Sequence, residues 1–97
     1  MHNLAERIIL KGLIELGILT GDFDLLEKNR VVYNFMPHGL GHFIGLDVHD
    51  VSSKATTASG LIEAGNCITI EPGCYFRKFH VTGELKQYVN LEKIKEY

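Results

Sequence analysis

Three of the chain's five histidines, His38, His42 and His49, fall within twelve residues. They sit in the run Phe35-Met36-Pro37-His38-Gly39-Leu40-Gly41-His42-Phe43-Ile44-Gly45-Leu46-Asp47-Val48-His49-Asp50. Neutral imidazole binds transition metals and exchanges protons near neutral pH, so histidines clustered this way point to a metal or proton-transfer site. Further on, Ile68-Thr69-Ile70-Glu71-Pro72-Gly73 brings one carboxylate to the end of an apolar run. Glu71 alone reads equally well as a turn cap or as a ligand. Asp47 and Asp50 read as solvated strand-end and turn carboxylates. The isolated His2 and His80 read as ordinary surface or hydrogen-bonded histidines.

The spacing limits how such a site can be built. His38 and His42 would share a face on a helix, but Gly39 and Gly41 would each cost about 1 kcal/mol there relative to alanine. No glutamate follows His38, so this is not the His-Glu-x-x-His zinc motif. A glycine-rich loop running into a strand fits better, with glycines letting the backbone approach a ligand or turn sharply. Beyond Gly41 the alternation places Ile44, Leu46 and Val48 on one face of a strand and Phe43, Gly45, Asp47 and His49 on the other. In an unbroken strand His42 and His49 have opposite parity and face opposite sides. To serve one pocket the chain must bend or bulge, most simply at Gly45, or His42 must still belong to the loop.

The flanking residues supply the elements that would hold this segment. Leu4, Ile8, Ile9, Leu13 and Leu16 recur at helical intervals, predicting an amphipathic helix over residues 3 to 16 with Asn3 as its cap and Gly17 at its end. Asp22 can cap a second, short helix through Asp24 and Lys28. Val31-Val32-Tyr33-Asn34-Phe35 is β-branched and aromatic, which predicts an extended segment ending at Pro37. Residues 51 to 60 have the composition of a flexible loop, and Glu63-Ala64-Gly65-Asn66 that of a tight turn feeding a strand from Cys67 to Ile70. The tail from Lys86 onward is charged and weakly amphipathic, with Leu91 and Ile94 as its aliphatic anchors after Val89. Two helices followed by strands predict an α+β class with an antiparallel sheet, and neither an internal repeat nor a domain boundary is visible.

Composition narrows the function classes. Ninety-seven residues allow one small domain or part of a larger one. Ten basic against twelve acidic residues give a formal charge of −2, which offers no footprint for nucleic acid and no polybasic membrane surface. No apolar run is long enough to span a bilayer, and the N-terminus carries no basic start followed by an apolar block. A cytoplasmic protein with Cys67 and Cys74 as reduced thiols is therefore expected, although a disulfide between them would close only a short loop.

With those residues in view, the chain resembles the Xaa-Pro dipeptidase (prolidase) and aminopeptidase P branch of the pita-bread metallopeptidases. The likeness rests on His38-Gly39-Leu40-Gly41-His42-Phe43-Ile44-Gly45-Leu46-Asp47-Val48-His49-Asp50 followed by Glu71-Pro72-Gly73-Cys74-Tyr75-Phe76. The leading helix also resembles the one that precedes this motif in prolidases. The resemblance implies a curved antiparallel sheet with flanking helices. It also implies two divalent metal ions, manganese foremost with cobalt or zinc as alternatives, and a proline-containing dipeptide or peptide as substrate. By that resemblance His42 would be a metal ligand, and Glu71 a second ligand that also takes the proton of the attacking water. His49 would contact substrate and stabilise the tetrahedral intermediate, with His38 lining the pocket.

The family uses five metal ligands, of which only His42 and Glu71 have counterparts here. The two aspartates before the leading helix and the glutamate of a later Arg-x-Glu strand do not, and the loop from Ser52 to Leu61 is shorter than in prolidases. Residues 1 to 97 are therefore expected to form a single fragment of a metallopeptidase catalytic domain, incomplete at both ends. By itself it would neither hold metal tightly nor hydrolyse Xaa-Pro bonds. Two other readings stand beside the enzymatic one: a non-catalytic pita-bread binding module, and a defective short product that persists by self-association, as in a homodimer.

Overall fold

The computed structural model describes residues 1–51, 62–77 and 83–97. The loop expected at residues 52 to 61 and the position of His80 lie outside the described residues. The chain divides into two compact units, Met1–His38 with Gly73–Tyr97, and Gly39–Pro72.

The first unit is helical and carries the core. Helix α1 spans His2–Glu15 and ends as the sequence predicts, with Gly17 in the left-handed region at φ 73°. Its start differs: Met1 is the N-cap, no side chain caps the helix, and Asn3 lies inside it. The buried face differs too. Leu10 and Leu13 are buried, whereas Leu4, Ile8 and Leu16 of the expected stripe are exposed. Both sides of α1 are apolar, so periodicity alone does not say which one the neighbouring elements cover. Helix α2, Phe23–Lys28, packs on α1 and starts at Asp22, whose Oδ2 accepts from the Leu25 amide at 3.2 Å.

The extended segment expected at Val31–Phe35 is instead a 3-10 helix over Val31–Asn34. Arg30 takes the left-handed conformation, φ 50° and ψ 39°, and restarts the chain as a tight turn after α2. Val31, Val32, Phe35 and Met36 are all buried, a one-sided helical spacing that overrides the β-propensity of the valines. Val31, Val32 and Phe35 share one core with Leu10, Leu13, Ile18, Leu19, Leu26 and Val89. The C-terminal part returns as a second 3-10 helix, Gly83–Gln87, and a one-turn helix α3, Leu91–Ile94, capped by Asn90. An antiparallel bridge joins Leu19 to Val89, flanked by Thr20 N–H to Tyr88 O and Asn90 N–H to Ile18 O, both 2.8 Å. No described helix is long and apolar enough to cross a membrane.

In the second unit, two segments pair antiparallel. Ile44 N–H donates to Cys67 O at 3.1 Å, Thr69 N–H to His42 O at 2.8 Å, and Glu71 N–H to Leu40 O at 2.6 Å, around a bridge between Phe43 and Ile68. Bridges of this kind are all that the described residues show of the predicted antiparallel sheet; no extended strand forms among them. The alternating strand expected through Val48 is a bend. Gly45 N–H bonds back to Asp47 O at 3.1 Å and Asp50 N–H to Phe43 O at 3.0 Å, which leaves Leu46 and Val48 exposed. The turn at residues 63 to 66 forms as read, with Gly65 at φ 93° and Glu63 N–H on the Asn66 side-chain oxygen at 2.9 Å. Cys67 and Cys74 are free and exposed, and partial desolvation pushes the Cys74 thiol above its ordinary value.

Candidate metal centre

The register of the pairing decides which side chains meet. Leu40, His42 and Ile44 stand opposite Glu71, Thr69 and Cys67. Side chains two apart share a face, so His42, Thr69 and Glu71 project from the same side. His42 and Glu71 are diagonal neighbours, within reach of long side chains, and His42 Nε2 stands 2.9 Å from Glu71 Oε1. Gly41 makes the close approach possible, because a Cβ there would run into the Thr69 carbonyl.

The bend brings the second histidine in. With the chain turned at Gly45, the His49 ring lies edge-on to His42, centroids 4.3 Å apart at 63°. A Cβ at Gly45 would meet the Asp50 carboxylate, which would have to swing aside. The parity conflict of the linear sequence is thus resolved by a bend rather than by a strand. Asp50 is engaged within its own turn, accepting from the Val51 amide at 2.8 Å, and Asp47 is exposed.

Among the described histidines, His42 has its ring fixed by a main-chain carbonyl. Its Nδ1 lies 2.9 Å from Phe43 O, an acceptor only, so that nitrogen carries the hydrogen. This is the arrangement that fixes a metal-binding imidazole with Nε2 as the donor atom. Nε2 then faces a carboxylate oxygen, and two lone-pair atoms 2.9 Å apart need a proton or a cation between them. Donors at about 2.1 Å from one ion, at octahedral or tetrahedral angles, stand about 3.0–3.4 Å apart, close to the observed separation. The Thr69 hydroxyl first, then the His42 and His49 imidazoles, hold the Glu71 carboxyl below its ordinary value against an opposing desolvation.

His42 and Glu71 therefore fit one face of a divalent ion's shell and do not complete it. No group of three His, Cys, Asp or Glu side chains able to hold a metal occurs among the described residues. The other predicted site residue, His38, belongs to the helical unit, where it is half-buried and packs edge-on against Tyr75 at 5.5 Å. His2 pairs with Glu6 at 3.1 Å, an ordinary helix-surface contact. Sequence reasoning passed over Thr69, which accepts the His42 amide on its hydroxyl at 3.0 Å. The signal available was parity, since Thr69 lies two residues before Glu71 on an extended segment.

The chain is similar to several known proteins. The chain is 39% identical over its whole length to a "Probable Xaa-Pro aminopeptidase" of Phaeosphaeria nodorum, of which it covers 24%. A protein with the same description from Colletotrichum graminicola is 42% identical over 97% of the chain and 23% of its own length. One from Talaromyces marneffei is 37% identical over the whole chain and 24% of its own length. The chain thus spans about a quarter of the length of these relatives. Residues 1–93 match the metallopeptidase family M24. The chain belongs to metallopeptidase family M24.

Proposed function

We propose that this chain supplies part of the active site of a metal-dependent peptidase acting at Xaa-Pro bonds. The observation that carries the reading is the His42–Glu71 pair, 2.9 Å apart, with the imidazole pinned in its ligand tautomer by Phe43 O. The relatives' descriptions favour an aminopeptidase, releasing the residue before proline from a peptide, over a dipeptidase. In the same reading the pairing of Leu40–Ile44 with Cys67–Glu71 is a corner of the curved pita-bread sheet.

A divalent ion, when bound, lowers the pKa of a water and polarises the scissile carbonyl. Around it, His42 gives Nε2 as a donor while Phe43 O keeps its ring from rotating. Glu71, kept ionised by its neighbours, offers one oxygen as a donor and can accept the proton released as water attacks. His49, exposed beside His42, can donate a hydrogen bond to the oxyanion that develops on the carbonyl oxygen. The substrate contact assigned to His38 rests on the sequence pattern alone.

Two donors are short of the four to six a divalent ion takes. The 97 residues alone are therefore proposed to hold manganese weakly, with a dissociation constant on the order of 1 mM, and to leave a peptide with proline in second position uncleaved. A manganese titration followed by electron paramagnetic resonance tests this. One weak site, lost in both His42→Ala and Glu71→Gln, is expected. Binding indifferent to both substitutions would overturn the site, and tight stoichiometric binding with turnover would overturn its incompleteness.

A further inference from the structure

We propose that Thr69 is a positioning residue for the His42–Glu71 pair, its hydroxyl fixing the point at which the imidazole and the carboxylate converge. The inference rests on the metal-binding reading above.

In a regular antiparallel pair, two directly opposed residues exchange both backbone hydrogen bonds. Thr69 and His42 make one of them, Thr69 N–H to His42 O at 2.8 Å. The return bond is replaced: His42 N–H donates to the Thr69 hydroxyl at 3.0 Å. The Thr69 carbonyl lies instead against Gly41, the position that tolerates no Cβ. The side chain of Thr69 thus occupies the place of a main-chain acceptor, and it does so on the face shared by His42 and Glu71.

That hydroxyl has a single proton to give. It reaches His42 O at a long 3.3 Å, and on the shared face it stands two residues from the Glu71 carboxylate, whose charged form it favours. One oxygen therefore holds the backbone that carries the imidazole, on the face where the carboxylate meets it. Groups that hold metal ligands through a hydrogen bond typically change metal affinity about 10- to 100-fold when removed. Valine keeps the branched shape of threonine and lacks the hydroxyl. Serine keeps the hydroxyl and lacks the methyl.

The test is manganese-induced broadening of the His42 and Glu71 side-chain resonances in the 97-residue chain. It compares wild type, Thr69→Val and Thr69→Ser. Nuclear Overhauser contacts between the Leu40–Glu71 and Ile44–Cys67 partners report whether the pairing persists. In wild type both side chains should broaden together while His2 does not. Thr69→Val should keep the pairing and need about tenfold more manganese for the same broadening, and Thr69→Ser should restore the wild-type requirement to within about threefold. Thr69→Val broadening at the wild-type concentration overturns the inference alone, as does failure of serine to restore binding. Loss of the pairing in Thr69→Val also overturns it, by making the role structural. Absence of broadening in wild type removes the metal reading and this inference with it.

Discussion

The two units of the chain are held by different means. Every buried hydrophobic residue among those described, from Leu10 to Val89, belongs to the helical unit. Gly39–Pro72, which carries His42, His49 and Glu71, has no buried side chain among its described residues and is secured by main-chain hydrogen bonds, the Thr69 hydroxyl and two crowded glycines. Burial of apolar area is the main source of stability, so the helical unit should dominate the resistance to unfolding. The other unit leaves His42 partly exposed and His49 and Glu71 exposed. Local opening free energies follow such differences, with loosely packed, functional segments at the low end.

The largest effect should come from the core. Leu26 is fully buried between α1 and the 3-10 helix at Val31–Asn34, and Leu26→Ala should cost about 2–5 kcal/mol by urea denaturation. In a domain this small, that is much of the total. A loss below about 1 kcal/mol would mean that the helical unit is not the stable half.

Gly41→Ala should act on the other unit only. Driving a Cβ into the Thr69 carbonyl should cost about 1–3 kcal/mol locally. In hydrogen exchange the amides of Ile44, Thr69 and Glu71 should lose protection, while those of Ile18 and Leu26 keep theirs. Equal loss in both sets would show one cooperative unit and break the comparison.

The sequence made much of this visible, and the parts it hid have physical reasons. Gly17 and Asp22 were readable because helix ends depend on the backbone freedom or side-chain oxygen of a single residue. Parity pointed to a bend at Gly45 as one of two ways for His42 and His49 to meet, the other leaving His42 in the loop. The 3-10 helix at Val31–Asn34 was not readable, because its conformation is set by burial against α1 and α2 rather than by local preference. The covered face of α1 was hidden for the same reason, since Leu4 and Ile8 are as apolar as Leu10 and Leu13. Within the site, His42 and Glu71 were legible as residue types that do chemistry. Thr69 was not, because its part depends on a register that no single segment reveals.

A smaller effect concerns protons. The lowered Glu71 value means the carboxylate is favoured in the folded chain. Its contribution to stability is therefore present above the ordinary carboxylate range and is lost as pH falls through the lowered value. A carbon-13 titration of the Glu71 carboxyl should show a midpoint below the usual glutamate value, moving upward in His42→Ala. An unchanged midpoint would mean that His42 and Glu71 do not sense each other.

Whether His42 and Glu71 act as one site is measured most directly by a double-mutant cycle on manganese affinity. If both atoms hold the same ion, His42→Ala, Glu71→Gln and the double variant should weaken binding to about the same extent, with strong coupling between the two positions. Independent, additive losses, or a double variant that binds as the wild type does, would contradict it.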